Sequence, residues 1–227
     1  MNSYSRNDIA TAIALLFHLI GLIGILFIDQ ALFAKLTPLN LLLMVALLVY
    51  TQPRPHKHFL VLLILCFFMG IFVEMIGTKT GLLFGDYAYG QELGFKLEGV
   101  PLIIGVNWFI VIYCCGISIH TLLDNIIRRL SEETGRDPMP VKALSVIVDG
   151  AILAVFFDWL LEPVAMKLGY WQWAHDRIPF FNYACWFGVS MIFLVVFYYA
   201  PFSRQNKFAV NLLLIQAMFF LLLRTFL

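Results

Sequence analysis

Charged residues are scarce in this chain. Asp, Glu, Lys and Arg make up 13% of its 227 residues, against about a quarter in a soluble domain. The hydrophobic share is 62% and the mean hydropathy is +0.89, which excludes a water-soluble enzyme and describes a chain dissolved mainly in lipid. Basic and acidic residues number 15 and 14, so no positive excess exists to neutralise a nucleic-acid backbone. Cys66, Cys114, Cys115 and Cys185 all fall inside apolar runs without a C-x-x-C pair. They read as packing residues, not as a disulfide framework or a zinc site. Neither G-x-G-x-x-G nor G-x-x-x-x-G-K-[ST] occurs, which argues against nucleotide cofactors. The five histidines, His18, His56, His58, His120 and His175, form one close pair, His56-x-His58. A membrane di-iron hydroxylase or desaturase needs histidine clusters. The last apolar segment has no lysine for a retinal Schiff base. No cofactor and no metal are expected; what remains is acid–base chemistry on an apolar substrate.

What the chain does have is long apolar runs. A helix crossing about 30 Å of hydrocarbon needs roughly 20 mostly apolar residues. Segments near 9–28, 36–52, 59–78, 101–123, 143–162, 183–201 and 209–226 approach this. The fold expected is all-α, a polytopic membrane helix bundle of about seven transmembrane helices, or six if the short second segment is not a span, forming a single domain over 1–227. The first segment is too long for a signal-peptide core and no A-x-A site follows it, so it reads as a helix. Arg6, Arg54, Lys57, Arg128, Arg129, Arg136, Lys142, Arg204 and Lys207 fall on the N-terminal side, and Lys35, Lys79, Lys96, Lys167, Arg177 and Arg224 on the other. That bias favours a cytoplasmic N-terminus, in a bacterial inner membrane.

Two loops on the expected outer face stand apart. The stretch from Gly77 to Gly105 holds seven of the 15 glycines, among Tyr87, Tyr89 and Pro101, as a loop folded closely against something does. The second, 163–182, carries Tyr170, Trp171, Trp173, Phe180 and Phe181; an interfacial aromatic belt is its simplest explanation. The stretch 124–142 reads as a charged, solvated connector.

Acids inside spans carry the most information, because a carboxylate at bilayer depth costs about 2.5–3.5 kcal/mol even on insertion scales. Glu74 lies near the outer end of its span, flanked on one face by Gly70 and Gly77. Asp158 and Glu162 are four apart and share a face, with Pro163 expected to end their helix. These three should converge at one membrane face. Asp149 lies half a revolution from Asp158 and near the opposite end, a solvated or structural position. A structural salt bridge would be the bland explanation for the three acids, but no Lys or Arg lies in the outer third of a long span to pair with them. A carboxyl withdrawn from water favours its neutral form, so one of the three is expected to hold a proton and act as a general acid. Asn107 and Trp108 entering one span, and Asn182 and Trp186 entering another, add polar and π-rich groups at the same end.

The segment E-M-I-G-T-K-T-G-L-L-F-G-D-Y-A-Y-G from Glu74 and G-V-P-L-I-I-G-V-N-W from Gly99 strongly resemble the CruF-type carotenoid biosynthesis proteins, the carotenoid 1′,2′-hydratases. D-W-L-L-E-P from Asp158, G-Y-W-Q-W from Gly169 and I-P-F-F-N-Y-A-C-W from Ile178 match the same family, so the resemblance runs from about 60 to 200. It implies addition of water across the terminal C1′=C2′ bond of a linear carotenoid, such as lycopene, γ-carotene or a C50 relative, without a cofactor. The partners implied are the carotenoid substrate, the lipid bilayer and other enzymes of the carotenoid pathway. On this resemblance Asp158 is the proton donor, Glu74 and Glu162 orient water or the donor, and Asn107 gives polar support. Trp108, Tyr87, Tyr89, Trp171, Trp173, Asn182 and Trp186 then line the end-group pocket. A carotenoid end-group cyclase begins with the same protonation and is the alternative. A Mg²⁺-dependent prenyltransferase would need a second acid-rich motif, and a carotenoid carrier would not need clustered acids.

Overall fold

A computed structural model describes residues 5–53, 57–134 and 139–227. Arg54, His56 and Arg136, named above, lie outside the described residues, as do the side chains of Arg128 and Arg129. The architecture is an all-α bundle in which six helical stretches are long and apolar enough to cross a membrane.

Helix α1 (Arg6–Ile23) opens on a capping box in which Ser5 and Asp8 satisfy each other's backbone N–H groups. It passes into a single π-helical turn, Gly24–Ile28. A Cβ at Gly24 would lie 2.3 Å from the Phe33 ring, so only glycine lets the short α2 (Gln30–Lys35) fold back this closely. Helix α3 (Thr37–Thr51) has 15 residues, roughly 22 Å at 1.5 Å per residue, less than the hydrocarbon core. Its ends nonetheless reach opposite ends of the bundle. The Thr37 and Tyr170 hydroxyls hydrogen-bond at 2.5 Å, whereas Gln52, one residue past α3, donates to the Ser203 carbonyl at 2.8 Å. The short second segment therefore runs between the two ends of the bundle although it is shorter than the six long apolar helices.

The remaining helices are α4 (Lys57–Thr80), α5 (Ile103–Thr134), α6 (Met139–Lys167), α7 (Phe180–Tyr199) and α8 (Lys207–Phe226). Helix α5 is the most buried of the spans and packs on α3, α4, α6, α7 and α8. All four cysteines are buried as free thiols within this packing. Lipid-facing positions show the reverse: Phe68 and Phe72 on α4 are 65% and 62% exposed, as expected where the solvent is hydrocarbon. Phe180 and Phe181 are also exposed, but Tyr170, Trp171 and Trp173 of the same loop are buried, so an interfacial aromatic belt does not explain this loop, whose Tyr and Trp rings face the interior.

Two further expectations need correction. The stretch 124–142, read as a charged, solvated connecting loop, is largely helical: α5 continues to Thr134 and α6 begins at Met139. Intrahelical hydrogen bonds persist in water as well as in lipid, so polar residues alone do not end a helix. Within this stretch Asp124 pairs with Lys142, tying α5 to α6. Pro163 does not terminate α6 either, which runs on to Lys167. Proline lacks the N–H that would reach the carbonyl four residues back. That carbonyl, on Trp159, accepts instead from Arg224 Nη1 of α8 at 2.7 Å, and the guanidinium lies 3.8 Å from the centroid of the Trp159 ring.

Four short strands cap one end of the bundle. β2 (Lys96–Leu97) and β3 (Val100–Pro101) form a local hairpin, while β1 (Tyr87–Tyr89) pairs antiparallel with β4 (Trp171–Trp173). The glycine-rich loop is thus folded against the aromatic loop that follows α6. Their contact is tight: a Cβ at Gly90 would fall 1.9 Å from the Gly169 carbonyl oxygen.

Candidate active site

Side chains alternate across a strand, and here the alternation aims one face of the β1–β4 ribbon at the bundle. Tyr87 stands opposite Trp173 and Tyr89 opposite Trp171, while Ala88 opposite Gln172 points outward. The four inward rings reach two of the three intramembrane acids, Glu74 and Glu162. Tyr87 and Tyr89 donate their hydroxyls to Glu74 Oε2 at 2.5 and 2.7 Å, and Trp108 Nε1 donates to Glu74 Oε1 at 2.9 Å. Trp171 and Trp173 donate their indole N–H groups to Glu162 Oε2 at 2.9 and 2.7 Å. Asn182 Nδ2 spans the other two carboxyls, 2.9 Å from Asp158 Oδ2 and 3.2 Å from Glu162 Oε1.

The helices deliver these groups to one end because consecutive spans run in opposite directions. Glu74 lies late in α4, Trp108 early in α5, Asp158 and Glu162 late in α6, Asn182 and Trp186 early in α7. Glycine permits the close approach of α4 to α5, since a Cβ at Gly70 would lie 2.8 Å from Trp108. Gly77, on the same face, leaves room for the Tyr87 hydroxyl, which a Cβ there would meet at 2.7 Å.

Every acid in the cluster is buried: Glu74 is 5%, Glu162 2% and Asp158 0% exposed. Among the described residues none of the three is in an ion pair. Their carboxyl oxygens are met by hydrogen-bond donors, and the distribution of donors is uneven. Glu74 and Glu162 each accept three bonds. Asp158 accepts one, from Asn182, and its buried Oδ1 has no partner. Burial first, and then the neighbouring Glu74 side chain, push the Tyr87 and Tyr89 hydroxyls above the ordinary phenol range.

Glu74, Asp158, Glu162, Asn107, Tyr87, Tyr89, Trp108, Trp171, Trp173, Asn182 and Trp186 all line one cavity. Its volume is about 20 Å³, room for a single water, which needs roughly 10–15 Å³ on this measure. Asn107 lines it without donating to any of the carboxyls among the described residues. Trp108 and Trp186 are stacked, with centroids 4.1 Å apart. Asp149 is exposed and takes no part. The sequence reading missed Phe84, Ile104 and Leu161, which complete the wall. Of these, Phe84 is buried at a left-handed φ of 64°, a conformation strained for a bulky residue. Its place directly before Gly85 in the glycine-rich loop was the available signal.

A family model described as carotenoid biosynthesis protein matches residues 36–227. The chain belongs to that family. The match extends well beyond the 60–200 region in which motifs are legible by eye. Bisanhydrobacterioruberin hydratase of Haloarcula japonica is 27% identical over 129 residues, covering 55% of this chain and 40% of that protein. The aligned region thus spans less than half the length of the relative. No solved structure matches the chain. The protein is a helical membrane member of a carotenoid biosynthesis family, with a distant relative that is a hydratase.

Proposed function

We propose that the protein is a carotenoid hydratase, adding water to the terminal C1′=C2′ double bond of a linear carotenoid. The observation that carries this reading is the asymmetry among the three acids: two have their acceptor sites filled, while Asp158 keeps a partnerless oxygen beside a cavity the size of one water. Asp158 is the group best placed to give up a proton. Glu74 and Glu162, each fixed by three donors, act as charge and as positioning groups.

The reaction balances without a redox partner. The Asp158 O–H bond breaks as C2′–H forms, and the alkene's π electrons leave a tertiary cation at C1′. The water oxygen bonds to C1′ and loses a proton to the Asp158 carboxylate, which regenerates the acid. Glu74 and Glu162 stabilise the cation through space, and the surrounding indole and phenol rings supply negative faces and shield it. Asn182 holds Asp158 and Glu162 in register, and Asn107 offers a polar side chain to the water. A cyclase would need that space for an internal alkene; room for one water favours hydration. An end group is larger than the cavity, so it enters by displacing a wall side chain, and strained Phe84 is the best suited to move.

The site lies at the end of the bundle opposite the N-terminus, and the bias of basic residues supports an outer-face position for it. Expression in a host accumulating linear carotenes, with mass analysis of the pigments, tests the reading. In heavy-oxygen water the product should gain one labelled oxygen, and in deuterated water one deuterium at C2′. An isomer of unchanged mass would establish cyclisation, and an oxygen drawn from dioxygen would remove the hydratase assignment.

A further inference from the structure

A second cavity, of about 260 Å³, lies between α1, α3 and α8, away from the carboxylates. Its walls are mostly apolar, Phe17, Phe33 and Phe219 among them, and no charged side chain lines it. Five polar side chains line it: His18 of α1, Thr37 and Asn40 of α3, Gln216 of α8, and Tyr170 from the loop after α6, with the Thr37 and Tyr170 hydroxyls hydrogen-bonded to each other. His18 and Gln216 are 5% and 4% exposed.

The hydrogen-bond inventory of these groups specifies a ligand. His18 Nδ1 lies 2.7 Å from the Ala14 carbonyl. A carbonyl only accepts, so Nδ1 carries the hydrogen and, in the neutral ring, Nε2 presents a lone pair. Nε2 meets no donor among the described residues. Asn40 Oδ1 is buried and also without a partner. Two acceptors therefore await a donor in a chamber whose remaining surface, apart from the mutually bonded Thr37 and Tyr170 hydroxyls, is hydrocarbon, and the Gln216 amide on the same wall brings a donor of its own. A pure hydrocarbon would leave both acceptors unsatisfied, at a cost a buried polar group rarely bears. A water could meet the polar end, but the apolar remainder of the chamber does not hold water. The absence of charged lining excludes a phosphate or carboxylate headgroup. Phe17 and Leu39, at the rim, are 45% and 64% exposed toward lipid, so the chamber loads from the bilayer.

We infer that this chamber is a second binding site, for a long apolar molecule ending in one neutral hydroxyl group. The hydroxyl donates to His18 or Asn40 and accepts from Gln216. The argument rests on the chamber's acceptors and stands whether or not the carboxylates hydrate an alkene. Two sources offer this chemistry: a hydroxylated carotenoid end, and an alcohol of the membrane lipids. An unhydrated carotene end offers no donor and is discriminated against.

The test uses the full chain in phosphatidylcholine nanodiscs, carrying Asp158→Asn so that turnover does not intervene. A diazirine-tagged linear C15 isoprenoid alcohol is photo-crosslinked and the labelled peptides mapped by mass spectrometry. Label is expected on α1, α3 and α8, competed about tenfold better by the untagged alcohol than by the hydrocarbon of the same skeleton, the worth of one hydrogen bond. That preference should shrink in His18→Leu or in Asn40→Leu and vanish when both are replaced, each variant being checked for folding by size-exclusion chromatography. Stronger competition by a hydroxylated linear carotenoid than by diacylglycerol supports the site and assigns the carotenoid source; the reverse order supports it and assigns the lipid source. Equal competition by alcohol and hydrocarbon in the unsubstituted chamber, or label confined to α6 and α7, overturns the inference. Either result leaves the solvent-oxygen test of hydration untouched.

Discussion

Tyr87 and Trp173 are register partners with ring centroids 4.9 Å apart, yet they serve different acids, Tyr87 donating to Glu74 and Trp173 to Glu162. The ribbon thus links an acid of α4 to an acid of α6 through a pair of touching rings. Replacing Trp173 by Phe keeps the ring contact and removes one donor from Glu162. A loss of about 1–3 kcal/mol in stability is expected where a charged acceptor loses a bond, with slower turnover. Trp171→Leu should likewise slow the reaction without abolishing it, since the donors and rings are shared. Pigment assays paired with thermal unfolding in detergent check this; unchanged values for both variants would show that the ribbon is mere packing.

Asp158→Asn and Glu74→Gln should differ in kind. The first removes a proton donor that accepts a single bond, so activity should disappear while the protein stays folded. The second turns an amide N–H₂ toward one or more of the three donors that Glu74 now receives. It should lower stability by about 1–3 kcal/mol as well as activity. Asp149→Asn, at an exposed position, should leave both intact. Equal loss in Asp149→Asn would contradict the placement of the site.

Arg224 and Pro163 should be coupled. Arg224→Gln strips the Trp159 carbonyl of its donor and should cost about 1–2 kcal/mol. Pro163→Ala restores a backbone N–H four residues after that carbonyl, so the same change should cost much less in the Pro163→Ala background. A double-mutant cycle reads the coupling; additive losses would show that Arg224 acts only through the indole ring.

Gly70→Ala should displace Trp108, because the new methyl would fall 2.8 Å from the indole. The expected result is an overpacking loss of about 1–3 kcal/mol together with reduced activity, as Glu74 loses its Trp108 bond. Tryptophan fluorescence and pigment conversion measured on one sample would detect both, and a fully active variant would free α4 and α5 from this constraint.

Much of the arrangement was legible in the amino-acid sequence, because lipid imposes strict rules. Acids at the ends of long apolar runs are costly, and alternating spans bring Glu74, Asp158 and Glu162 to one end. The aromatic pairs at 87, 89, 171 and 173 were legible as pocket residues, but not as hydrogen-bond donors. Which acid each serves depends on how each loop folds back over its own hairpin, and three-residue strands leave too little periodicity to reveal that path. The continuation of α6 through Pro163 was hidden for a related reason. The compensating Arg224 lies on another helix, and local rules for proline take no account of a donor arriving from α8.

The donors to each acid also lie near it in the chain. Glu74 is served from 13, 15 and 34 residues away, and Glu162 from 9, 11 and 20. Each acid therefore finds its own donors within the helical hairpin that carries it, before the two loops meet. During biosynthesis the α4–α5 hairpin and the α6–α7 hairpin can each settle into the bilayer with a carboxyl already satisfied, and neither has to wait for the other. Asp158, whose free oxygen no neighbour fills, is left as the chemically unfinished position when assembly ends.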